Sequence, residues 1–172
     1  AFTDGFLMKI DGDGSGVCVD GNVNGVTAAT GITSGNAISI FQGVYSIVPV
    51  AILHSTNLVA FCGWDTFRKL IENITDNNWF HYVSDDAART GEIFLPGTNL
   101  KIVAVTGLDS TNRIITAETT NLYVGTDLVS DFDQMEMWFS KDDRNVKSNI
   151  VFKLGTEIAY LEEVVQFELD AS

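Results

Sequence analysis

The chain has 172 residues, 45% of them hydrophobic and 10% aromatic, and its 23 Asp and Glu against 10 Lys and Arg give a net charge of −13. This composition excludes a disordered polypeptide and specifies one domain, or one with an appendage, long enough to bury roughly two-thirds of its unfolded surface. The charge repels phosphate backbones and acidic lipid surfaces, which argues against nucleic-acid binding by counterion release and against a membrane partner.

No apolar run approaches the ~20 residues of a membrane-spanning helix, and AFTDGFLMKI lacks a basic start followed by an apolar stretch, so a soluble protein is expected. The chain begins at Ala1 rather than Met, as a processed product or an expressed fragment would. Residues 1–32 form a glycine-rich lead-in with short strands. GFLMKI is apolar, DGDGSG from Asp11 to Gly16 is turn-forming, GVCVD reads as a short strand, and GNVNGVTAATG returns to turns. DGDGSG also matches the first half of a calcium loop of the EF-hand kind, with Asp11, Asp13 and Ser15 as oxygen ligands and Gly16 at the sharp turn. Its twelfth position is Asn22, which lacks the required bidentate carboxylate, and neither flank carries a convincing helical pattern. A tight solvated turn between GFLMKI and GVCVD is therefore expected, without a metal.

From Ser34 to Val48 the apolar residues Ile38, Phe41, Val44, Tyr45 and Val48 recur every three or four positions. They predict an amphipathic helix with Thr33 or Ser34 as N-cap and an end near Pro49. Leu58 to Trp64 reads as a compact apolar strand, and Asp65 stands where a second helix needs its N-cap. That helix is expected over Thr66 to Ile74, with Phe67, Leu70, Ile71 and Ile74 on one face and Arg68 and Glu72 as an i, i+4 pair on the other.

Beyond Asn77 the pattern turns to period two. EIFL leads through Pro96 and Gly97 to LKIVAV, and GLDSTN between LKIVAV and RIITAE predicts a hairpin. NLYVGTDL, MEMWFS, VKSNIVFKL, EIAYL and VVQFEL are further strand candidates. In NIVFKL, Ile150, Phe152 and Leu154 point opposite to Val151 and Lys153, the pattern of a sheet with one buried face. The expected fold class is α+β, with early amphipathic helices packed on a mainly antiparallel sheet and residues 33–172 folding as one unit.

The residues that could carry chemistry are sparse. His54 and His81 are far apart, and neither lies near a nucleophile in a strained turn motif, so packed or surface roles are expected. The carboxylates Asp127, Asp131, Asp133, Glu136, Asp142 and Asp143 fall on turns and outward strand positions, as a solvated acidic face or an interaction surface would. Gly97-Thr98 and Gly125-Thr126-Asp127 lack the lysine and following helix of a phosphate-cradling loop. Asn73-Ile74-Thr75 matches the glycosylation pattern by chance, at a helix end. Cys18 and Cys62 have no metal-ligand spacing; the two could bridge, but reduced, buried thiols are the expected reading. Trp79, Phe80 and Tyr82 are either core or a sticky patch. No catalytic, cofactor-binding or metal-binding residue is predicted.

From Ile32 onward the order of segments resembles the C-terminal half of tailed-bacteriophage major capsid proteins of the Hong Kong 97-like fold. The stretches that carry the resemblance are ITSGNAISIFQGVYSIVP, NLVAFCGWDTFRKLIENI, GEIFLPGTNLKIVAVTGLDSTNRIITA, NLYVGTDL and MEMWFSKDDRNVKSNIVFKLGTEIAYLEEVVQFEL. The resemblance implies an axial domain built on the strand before GWDTFRKL and the helix after it, a strand pair from GTNLKIVAV to RIITA, and closing strands of a peripheral domain. It implies a structural, non-enzymatic subunit that self-associates with copies of itself into a shell around double-stranded DNA. Scaffold or decoration proteins are possible partners, and the virion is its place. Family members carry an N-terminal arm, an extended loop and a long spine helix ahead of this region, where the present sequence has only about 33 residues before its first expected helix. Two other expectations compete: a calcium-assisted extracellular β-rich binding module, motivated by DGDGSG, and a hydrolase using the carboxylates between Asp127 and Asp143.

Overall fold

The computed structural model describes residues 5–11, 24–28, 31–79, 87–126, 134–151 and 154–169. Its centre is a six-stranded sheet of β1 (Asn24–Ala28), β10 (Val165–Leu169), β5 (Ile114–Glu118), β2 (Leu58–Cys62), β4 (Lys101–Ala104) and β3 (Glu92–Phe94), in that spatial order. The sheet is mixed. β1 runs parallel to β10 and β2 parallel to β4, while the β10–β5, β5–β2 and β4–β3 pairs are antiparallel.

Two features depart from the sequence expectation. LKIVAV and RIITAE do not pair with each other, because β2 lies between them and bonds to both. The strand pair implied by the resemblance at GTNLKIVAV to RIITA is likewise absent. The short turn after β4 crosses over β2 rather than folding back on itself. The only hairpin β4 makes is with β3, through the Pro96-Gly97 turn, where Gly97 takes a positive φ of 79°. Residues 24–28, expected as turns, form the edge strand β1, held by backbone pairing to β10 from Asn24 opposite Val165 to Ala28 opposite Leu169.

Strand period two sorts the core onto the two sheet faces. Leu58, Ala60, Cys62, Ile102, Ile114, Val165 and Phe167 face α2 (Ala37–Ile47) and α4 (Trp64–Asp76), whose Ile38, Phe41, Val44, Phe67, Leu70 and Ile74 close over them. Ile115 and Ala117 face the other way and pack with Leu108, Ile158, Val164 and Ile10 of the six-residue helix α1 (Phe6–Asp11). α1 is the helical flank that periodicity misses at DGDGSG: one and a half turns are too short to show a pattern, and packing of Phe6, Leu7 and Ile10 holds it.

α2 is shorter than expected, with Asn36 at its N-cap position, although its apolar spacing is as read. Ile38, Phe41, Val44 and Val48 are buried, and the half-buried Tyr45 hydroxyl donates to Asn99 Oδ1 at 3.0 Å. A single turn, α3 (Val50–Leu53), follows Pro49, and α5 (Ala87–Thr90) precedes β3. α4 starts earlier than expected, with Gly63 rather than Asp65 at the N-cap. No side chain larger than hydrogen fits at Gly63, because a Cβ there would lie 2.5 Å from the Leu108 carbonyl oxygen.

Beyond the central sheet stand two small antiparallel ladders. β6 (Leu122–Gly125) pairs with β9 (Gly155–Ile158), and β7 (Gln134–Ser140) pairs with β8 (Asn145–Val151). The buried face expected around NIVFKL is not found at Leu154, which is 38% exposed, while Phe152 and Lys153 lie outside the described residues.

Candidate interaction surface

Among the described residues, the side chains singled out for chemistry are engaged in structure or dispersed. Cys62 is buried in the core, and burial first, then the charges of Asp65 and Asp109, push its thiol up to about 12. It is an inert packing group, as expected; Cys18 lies outside the described residues. His54 is exposed at the end of α3, and His81 lies outside the described residues. Among the described residues no three His, Cys, Asp or Glu side chains cluster as a metal site. Of the acidic segment, Glu136, Asp142 and Asp143 are exposed on the β7–β8 ribbon, while Asp127, Asp131 and Asp133 fall outside the described residues.

Asp11, the first ligand of the supposed calcium loop, is turned to Arg113. The guanidinium donates Nη1 to Asp11 Oδ2 at 2.9 Å and Nη2 to Oδ1, and Glu168 lies 3.9 Å from Nη2. The hydrogen bond from Arg113 holds the Asp11 carboxyl below its ordinary range against the opposing effect of burial, and Asp11 in turn raises Arg113. Lys9 pairs with Glu157 at 2.9 Å, so α1 is fastened by ion pairs to Arg113, just before β5, and to β9. The remaining residues of DGDGSG lie outside the described residues.

A cleft of about 550 Å³ opens at the start of α4, lined by Trp64, Phe67, Arg68 and Ile71 with Asp65, Asp109 and Ser110. Side chains of this chain already tie the start of α4 to the loop at Asp109 and Ser110. Asp109 Oδ1 accepts from the Trp64 N–H at 2.6 Å, and Asp65 Oδ1 accepts from the Ser110 N–H at 3.2 Å. Asp65 thus pins a loop instead of capping its own helix, and the cap arrives from a residue 45 positions away. Asn73, the supposed glycosylation acceptor, is buried, and its Oδ1 accepts from the Ile38 N–H at 3.1 Å to satisfy the first turn of α2.

What the molecule does present is apolar surface on the two small ladders. Tyr123 and Val124 of β6 and Tyr160 after β9 are exposed, beside a second cleft of about 560 Å³ that includes Leu154. On the β7–β8 ribbon Met137 is 63%, Trp138 48%, Phe139 60% and Val146 66% exposed. Trp79 of the expected aromatic patch is also partly exposed, whereas Phe80 and Tyr82 lie outside the described residues. On the central sheet, the edge strand β3 carries an exposed Phe94. Sequence reading marked the ribbon strands but expected one face of them to be buried.

This architecture, a mixed sheet with helices packed on it and small ladders beyond, recurs in other solved structures. The chain shares its fold, at 12% identity, with a chain from Mycobacterium phage Che8 (TM-score 0.61, covering 85% of this chain and 53% of that one). At the same identity it matches a chain of the satellite phage P4 procapsid that includes the size determination protein (TM-score 0.59, 96% and 50%). It also matches a chain of a virus-like particle from Pyrococcus furiosus (TM-score 0.52, 86% and 55%). The chain spans about half the length of each. No family model and no curated protein matches the sequence.

Proposed function

We propose that this chain is a structural subunit of a phage or prophage icosahedral shell, self-associating to enclose double-stranded DNA. The carrying observation is that 85 to 96% of the chain matches the fold of chains from a phage, a satellite-phage procapsid and a virus-like particle. The role is structural rather than catalytic: the buried polar residues Asn73 and Asn121 serve backbone hydrogen bonds, and the acidic groups of the ribbon stand in solvent. In this reading the six-stranded sheet with α2 and α4 is the axial domain, and the β6–β9 and β7–β8 ladders are the closing part of the peripheral domain. Weak contacts between copies then multiply around a closed lattice. Scaffold or decoration proteins are the further partners, as the size determination protein accompanies the P4 procapsid.

The test is sedimentation velocity combined with negative-stain electron microscopy across a concentration series. Oligomers, curved sheets or shells are expected. A strict monomer at every concentration overturns self-association for this chain.

A further inference from the structure

We propose that the Met137, Phe139 and Val146 face of the β7–β8 ribbon is a contact surface for a second copy of this chain; the inference rests on the shell reading and locates one of its contacts. In the ribbon register Met137 lies opposite Ser148, Phe139 opposite Val146 and Trp138 opposite Lys147. Cross-strand partners share a face, so Met137, Phe139, Val146 and Ser148 line one side, and Trp138 with Glu136, Lys147 and Asn149 line the other. One side is therefore apolar at three of these four positions and charge-free.

A two-stranded ribbon is marginal in water without a covered hydrophobic face. This one forms a separate sheet among the described residues, and every described side chain from Glu136 to Phe139 and from Lys141 to Asn149 is exposed. Nothing described in the chain covers it.

Charge selects the occupant. Residues 134–151 hold Lys141, Arg144 and Lys147 against Glu136, Asp142 and Asp143, and so are neutral, while the whole net charge of −13 resides elsewhere in the chain. Two copies approaching through surfaces that hold the excess Asp and Glu bring like charge together. Two ribbons bring equal numbers of both signs, and the Lys147–Asp143 pair already neutralises the rim of the turn. The ribbon is thus an exposed apolar surface through which this acidic chain can meet itself without setting like net charges against each other.

The experiment uses the full chain. Photocrosslinker in place of Phe139 is expected to yield a dimer whose linked peptide maps to residues 134–151 of the second copy, whereas the same crosslinker at the exposed Val50 is not. In sedimentation equilibrium, Phe139→Glu with Val146→Glu is expected to weaken association by about tenfold or more, since each carboxylate must be desolvated in the contact. Val50→Glu leaves it within about twofold on the same scale. Association that persists unchanged in the double variant overturns the ribbon contact and leaves the shell reading standing. A strict monomer overturns both. Crosslinks confined to one molecule show that the chain covers its own ribbon, and they overturn the proposal too. Crosslinking reads the contact even if the double variant folds poorly.

Discussion

Single polar side chains decide where this fold is fragile. Asn73 is the clearest: buried on α4, it satisfies the Ile38 N–H at the start of α2 and so fixes the two helices against each other. Replacing it with Ala leaves a buried donor without a partner, a loss of about 1–3 kcal/mol that the urea midpoint should register. An unchanged midpoint would mean that water or a neighbour takes over the bond. Asn121 plays a similar part further along, where its Nδ2 donates to the Tyr160 carbonyl at 2.7 Å and its Oδ1 accepts from the Tyr160 N–H at 2.8 Å, joining β6 to the chain after β9. Neither role is visible in sequence, because an asparagine that caps a distant backbone group looks like any helix-end or turn asparagine. The hydrophobic residues are legible for the opposite reason: Ile38, Phe41 and Val44, or Phe67, Leu70 and Ile74, announce their face by spacing alone.

At the scale of elements, the short helix α1 is held both by packing of Phe6, Leu7 and Ile10 and by the ion pairs of Lys9 and Asp11. Its Asp11 has a folded-state pKa lowered chiefly by the Arg113 hydrogen bond, so its contribution is present above the ordinary carboxylate range and is lost as pH falls through that range. Asp11→Asn should therefore lower the melting temperature at neutral pH, and the gap from the parent chain should close in acid. A gap that stays constant with pH would show that shape, not ionisation, matters at this position. The elements that sequence patterns reveal and those they miss divide on the same physical line. α4 carries its own evidence within 13 residues. The neighbours of β4 and β5 do not, since a strand's pattern gives its face but not its partner, and β2 stands between them. β1 is missed because NGVTA has little strand character of its own and is recruited by β10. In the ribbon, the strands and the turn at Lys141 to Arg144 are legible, but whether anything covers them is not written in the segment itself.

For the whole molecule the governing quantity is net charge. Copies carrying −13 repel at long range, and the repulsion is screened over about 10 Å at 0.1 M salt. Self-association of the full chain should therefore strengthen as sodium chloride is raised, as light scattering or sedimentation can follow. Weakening with salt would instead mark ion pairs as the main contacts between copies. The same charge sets a repulsive term against any phosphate backbone that the chain meets.

The parallel pairing of β1 with β10 carries a consequence in time. Residues 24–28 leave the ribosome long before the strand they must join, which ends at Leu169, so this edge of the sheet stays open until nearly the whole described chain has been made. β5, too, waits for β10 on one side. Until then the nascent chain exposes a bare sheet margin beside its half-built core, a state in which pairing with a neighbouring chain competes with completing the fold. For a protein proposed to accumulate in many copies, synthesis rate and crowding at the polysome would then shape the yield of native subunit as strongly as its final stability does.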